Sequence, residues 1–251
     1  METILKRDRW IVLAALAALA TLAWARMTYD ARGMGLGACC RMVAPDSNPW
    51  DAATLPPLFF MWAGMMVAMM VPSASPMIMT FTMVQRKRRE QERPFVPTGI
   101  FLAGYLFAWT IFSALAALAQ WILHAKALLT PMMISNNSIL GGVILGAAGI
   151  FQFTPLKNAC LKHCRSPLTF LLTDWREGKI GAFVMGLKHG AYCTGCCWIL
   201  MLLLFLGGVM NLFWIAAISI FVLFEKVLPK GLLFGKFAGV ILIIWAVLMF
   251  I

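Results

Sequence analysis

Within nine residues the chain places one imidazole and three thiols, at His189, Cys193, Cys196 and Cys197. They lie in and just before the stretch Gly190-Ala-Tyr-Cys-Thr-Gly-Cys-Cys-Trp198, which an apolar run follows. Residues three and four apart share one face of a helix, so these four side chains stack along a single stripe. Sulfur donors beside an imidazole favour soft metals, Cu(I) or Zn(II), over hard cations. The same thiols could instead form a redox-active pair. A tetrahedral zinc site needs donors from several directions, which one helix supplies poorly. Cu(I) is content with two or three soft ligands and suits the stripe better, so copper is the expected metal, with zinc or another soft metal as the alternative. A lone cysteine here would be read as a small apolar packing residue; a Cys-x-x-Cys-Cys preceded by a histidine asks for more.

A second sulfur-rich stretch lies far upstream. Met61, Met65 and Met69 recur every four residues, with Met66 and Met70 on the adjoining stripe. Thioether sulfur is a neutral soft ligand, useful where a charge is costly to bury, although methionine also fills gaps in ordinary cores. The expected site therefore joins the thiols of Cys193, Cys196 and Cys197 to Met65, Met69 and Met70. Cys160 and Cys164, four residues apart with His163 between them, read as an inner loading point or a resolving thiol pair. The vicinal Cys39 and Cys40 read as an outer relay, and Gln152 as a buried amide in need of partners. Glu225 stands in an apolar run, with Lys188 or Lys226 as its expected partner.

These side chains must be positioned by membrane helices. Of the 251 residues, 62% are hydrophobic and 12% charged, against roughly 25% charged in soluble domains. Apolar runs near the roughly 20 residues of a helical crossing recur along the chain. No alternating strand pattern appears. The fold expected is all-α, a polytopic membrane helical bundle forming a single domain over residues 1–251. It has about seven transmembrane helices, at 10–27, 57–84, 98–123, 138–153, 180–209, 211–228 and 233–251. The first run, with its basic start, resembles a signal peptide but reads better as a retained span. Pro72 and Pro76 in span two, and Gly186, Gly190 and Gly195 in span five, predict broken helices, a feature of helices that line a site.

The net charge of +11 sits in basic segments at 1–9, 85–97, 155–179 and 226–236, which alternate with charge-poor ones. That pattern places the chain in a bacterial cytoplasmic (inner) membrane with cytoplasmic loops at 85–97 and 155–179 and an outer loop at 28–56. The N-terminus is cytoplasmic and the C-terminus outside. Lipid headgroups, not nucleic acid, are the partner of the basic residues.

With those residues in place, the chain resembles a bacterial family of integral membrane proteins predicted to bind metal. The matching pieces are Met61-Trp-x-x-Met-Met-x-x-Met-Met-x-Pro-Ser-x-x-Pro76, Pro155-Leu-Lys-x-x-Cys-Leu-x-x-Cys-Arg-x-Pro167 and Gly186-x-x-x-Gly-x-x-Cys-x-Gly-Cys-Cys-Trp-x-Leu-Met201, with Glu225-Lys226. The resemblance implies the fold and the metal-binding residue set, without naming a reaction.

The reading that follows is a soft-metal, copper-binding integral membrane protein that handles, transfers or inserts the metal. A partner membrane or periplasmic metalloprotein subunit would receive it. The alternatives are a membrane thiol–disulfide oxidoreductase and an accessory subunit of a membrane metalloenzyme. The sequence carries no Gly-x-x-x-x-Gly-Lys loop for nucleotide. Its three histidines, His124, His163 and His189, are few for an oxygen-activating copper centre.

Overall fold

The computed structural model describes residues 2–35, 54–125 and 138–250. Cys39 and Cys40 lie outside the described residues. Every regular element described is a helix, in the order α1 (Glu2–Gly35), α2 (Leu55–Glu90), α3 (Thr98–Ala125), α4 (Ser138–Phe151), α5 (Pro155–Arg165), α6 (Pro167–Thr173), α7 (Gly178–Leu202), α8 (Leu204–Gly207), α9 (Leu212–Val227) and α10 (Gly231–Leu248).

Five stretches are long and apolar enough to cross a bilayer: Trp10–Ala31, Leu55–Glu90, Thr98–Ala125, Gly178–Gly207 and Gly231–Leu248. A sixth arises if α4 and α5, bent by 63° at their junction, form one span. Among the described residues, the expected seven are therefore not all present at spanning length. At 14 and 16 residues, α4 and α9 rise roughly 21 and 24 Å, short of a roughly 30 Å hydrocarbon core. The bend after α4 has a local cause. Pro155 opens α5 without an N–H to donate, and Thr154 caps it, its hydroxyl accepting from Lys157 N at 3.3 Å. Residues 155–179, expected to connect two spans, thus carry two short helices, and α5 folds against α7 and α9.

The expected break in span two is also absent, because α2 runs unbroken through Pro72 and Pro76. Each proline orphans the carbonyl four residues before it, and both carbonyls find other donors. Trp24 Nε1 on α1 donates to Ala68 O at 3.2 Å, and Ser75 Oγ to Pro72 O at 2.8 Å. Side-chain donors from within the bundle thus replace the missing backbone bonds, as bilayer depth requires. Span five is interrupted only at Leu203, between α7 and α8. Its glycines serve packing: a Cβ on Gly186 would collide with the Phe101 carbonyl, and one on Gly104 with the Phe183 carbonyl. That fit lets α3 and α7 lie backbone to backbone. Around this pair the core closes with Trp62, Met65, Met66, Met69, Met70, Phe81, Phe101, Tyr105 and Trp109, all fully buried.

Candidate metal centre

The stripe expected on α7 is present, and its members face inward. His189, Cys193, Cys196 and Cys197 are all buried. The Cys196 and Cys197 thiols donate to the Cys193 carbonyl at 3.1 and 3.0 Å, the ordinary back-bonding of small polar side chains on a buried helix. His189 is caged by the rings of Phe101, Tyr105 and Phe170, with centroids 6.2, 5.8 and 5.6 Å away. Its Nδ1 has no hydrogen-bond partner among the described residues.

The bend at Thr154–Pro155 brings a further thiol to this stripe. Cys160 lies over Gly195, where α7 offers no side chain and a Cβ would sit 3.0 Å from the Cys160 sulfur. One turn further along α5, His163 stacks on Tyr192 at 4.3 Å between centroids and 13° between planes. Cys164 follows on the same helix, which packs against α7. Cys160 and Cys164 are partly buried. In this arrangement no three His, Cys, Asp or Glu side chains among the described residues are placed to hold one metal ion together.

Two residues that the sequence reading left out of the site touch its central sulfur. Lys226 on α9 is buried and places Nζ 2.9 Å from Cys193 Sγ and 3.1 Å from Ser73 Oγ. The Tyr105 hydroxyl on α3 sits 3.2 Å from Cys193 Sγ and donates to Met70 O, also at 3.2 Å. An ammonium at this distance stabilises negative charge on sulfur, the more so because water is excluded. The signal for Lys226 is present in the sequence as a cation next to Glu225 in an apolar run, where it reads as one of two candidate partners for that carboxylate, beside Lys188.

Glu225 and Lys226 instead point to different partners. Glu225 Oε1 pairs with Lys157 Nζ at 2.7 Å, both groups fully buried, and Lys157 also donates to Gln152 Oε1. Gln152 so finds a donor for its carbonyl oxygen, while its buried Nε2 has no hydrogen-bond partner among the described residues. Lys188, the other cation considered for Glu225, pairs with Asp174.

The methionines enter less directly than expected. Met70 Sδ lies 4.0 Å from Ser73 Oγ, so α2 reaches the thiols through Ser73 and Lys226 on one side and Tyr105 on the other. Met65 and Met69 are fully buried on the same helix, two turns and one turn before Ser73. The resulting arrangement sets buried thiols beside one ammonium, with the α2 methionines behind Ser73, all enclosed in apolar packing. It suits a soft monovalent ion better than a hard one.

A family model described as PpoB2, copper chaperone, matches residues 59–249. That interval contains every residue of the centre described above. No curated protein and no solved structure matches the chain.

Proposed function

The chain belongs to the PpoB2 family of copper chaperones, and from that premise we propose that Cu(I) is bound where α5 meets α7, by two thiolates drawn from Cys164, Cys193 and Cys196. As a membrane-embedded copper-handling protein it needs a site that holds the ion firmly yet releases it to a receiver. Two or three thiolates satisfy Cu(I). Cys197, Cys160 and the caged His189 lie within a turn or two and serve as exchange ligands. Met70, then Met69 and Met65, carry the ion along α2 as neutral thioethers. Lys226 offsets the negative charge that a cuprous thiolate complex retains, a charge that low-dielectric surroundings would otherwise penalise.

The observation that supports this reading is the thiol-bearing contact of two separate helices, with Cys160 of α5 over Gly195 of α7 and the Lys226 ammonium 2.9 Å from Cys193 Sγ. Depth supports a direction. Tyr105 stands two turns into α3, roughly 10 Å from the end that follows the basic segment Arg86–Arg93. With basic segments inside, the site opens toward the cytoplasmic face through Cys160 and Cys164, and the receiver is a metalloprotein on or outside the membrane.

The test is anaerobic Cu(I) titration of the purified protein against a competing chromophoric chelator, with reductant present. Wild-type protein should take up Cu(I), and Cys164→Ser, Cys193→Ser and Cys196→Ser should each lower its affinity. Equal affinity in the wild type and all three variants overturns the assignment.

A further inference from the structure

Two basic segments far apart in the sequence meet at one end of the bundle. Arg88, near the end of α2, pairs with Glu177, just ahead of α7, at 2.8 Å, and its guanidinium lies 5.1 Å from the Trp175 ring centroid. Three carboxylates of this corner are matched by nearby cations: Glu90 by Arg86, Glu177 by Arg88 and Asp174 by Lys188. Lys87, Arg89, Arg93, Arg176 and Lys179 are exposed and have no ion-pair partner among the described residues. Exposed Glu92 is left as the carboxylate that opposes these five.

The short helix α6, which leads from α5 to this corner, has two dissimilar faces. Phe170 and Leu171 are buried, and the Phe170 ring lies 5.6 Å from His189 and 6.3 Å from Tyr192, both on α7. Leu168 and Leu172, one turn apart on the other face, are 63% and 83% exposed, and Ile180 in the first turn of α7 is 82% exposed. With seven residues, α6 rises roughly 10 Å, too little to cross a bilayer. It stands at the ends of α2 and α7, both long enough to span one. Bare leucines beside unmatched cations fit the boundary where acyl chains give way to charged headgroups. An acidic protein surface would satisfy the cations and leave the leucines in water.

We propose that α6 lies flat in the membrane boundary and that this corner binds the phosphate of an anionic phospholipid. Leu168, Leu172 and Ile180 enter the acyl layer, while Arg176 and Lys179 hold the phosphate. Lys87, Arg89 and Arg93 add positive potential from the end of α2. Charge placement in the sequence assigns lipid to the basic loops as a whole; the fold singles out one corner and one helix. The site is separate from the thiols and does not depend on the copper reading. It bears on them through packing, because α6 follows α5 directly and its Phe170 forms part of the ring cage around His189.

The experiment compares the purified full chain with phosphatidylglycerol, which is anionic, and with phosphatidylcholine, which carries no net charge. Native mass spectrometry from mixed micelles counts the lipid retained, and hydrogen exchange in nanodiscs of each composition reads α6. Phosphatidylglycerol should be retained in preference to phosphatidylcholine and should slow exchange across residues 167–173. Arg176→Gln combined with Lys179→Gln should cut that preference by roughly 25-fold, from about 5-fold per cation near the surface. Inorganic phosphate, which has the charge without the chains, should leave exchange in α6 unchanged. Equal retention of the two lipids by the wild type overturns the proposal whatever the variant does. A preference untouched in the double variant overturns it too, as does protection of α6 by inorganic phosphate, since a free anion would then suffice.

Discussion

Cys193 is the residue on which the centre turns, because two other helices address its sulfur. Tyr105 comes from α3 and Lys226 from α9. Of these, Lys226 makes the sharpest prediction. A buried ammonium beside thiols is costly unless it compensates negative charge. Removing it while keeping the shape, as in Lys226→Met, should weaken Cu(I) binding by about 10- to 100-fold, the usual effect of losing a residue that supports metal ligands. Lys226→Arg keeps the charge and should retain most of the affinity. The chelator competition that reports Cu(I) affinity reads both variants. Equal weakening in the two would assign Lys226 a packing role instead.

At the scale of elements, α5 is the piece whose position matters most, since it carries Cys160 and Cys164 and is too short to hold itself in place. Its anchors are side chains. Lys157 pairs with Glu225 at 2.7 Å, and Arg165 donates to the Leu228 and Pro229 carbonyls at 2.5 and 2.7 Å. Consecutive residues of α9 thereby tie α5 down through Glu225 and reach the thiols through Lys226. Breaking one half of the buried pair is expected to be worse than removing both. Lys157→Met leaves Glu225 uncompensated and should cost about 3–5 kcal/mol, whereas Lys157→Met with Glu225→Met should recover most of that loss. Unfolding of the detergent-solubilised protein measures the difference. Because α5 supplies Cys164, the single variant should lose Cu(I) affinity in parallel with stability.

For the whole molecule, the described residues form a helical bundle with five candidate spans long and apolar enough to cross a membrane, and a sixth if the bent α4–α5 pair crosses as one. The orientation proposed from charge places the basic segment at 85–97 inside. Reporter fusions that are active on only one side of the membrane test this. A fusion at the N-terminus should report the cytoplasm and one at the C-terminus the outside. A C-terminal reporter in the cytoplasm would mean that α9 and α10 do not both cross.

The sequence by itself determined what is local. Apolar length and charge placement specify membrane helices, and spacings of three and four align His189, Cys193, Cys196 and Cys197 on one buried stripe. Both follow from helix periodicity and from the cost of leaving backbone polar groups unpaired in lipid. The copper reading rested on the same local chemistry, and family membership agrees with it. Tertiary structure decided what depends on where separate helices meet. Pro72 and Pro76 leave α2 unbroken because Trp24, remote in sequence, and Ser75 take up the freed carbonyls. Glu225 and Lys226, adjacent in sequence, serve different partners because successive residues on a helix point about 100° apart. Cys160 comes over Gly195 only because the chain bends after α4, and Tyr105 reaches Cys193 only because glycines let α3 and α7 close to backbone contact. The nonapeptide on α7 therefore lies against side chains from α3, α5 and α9.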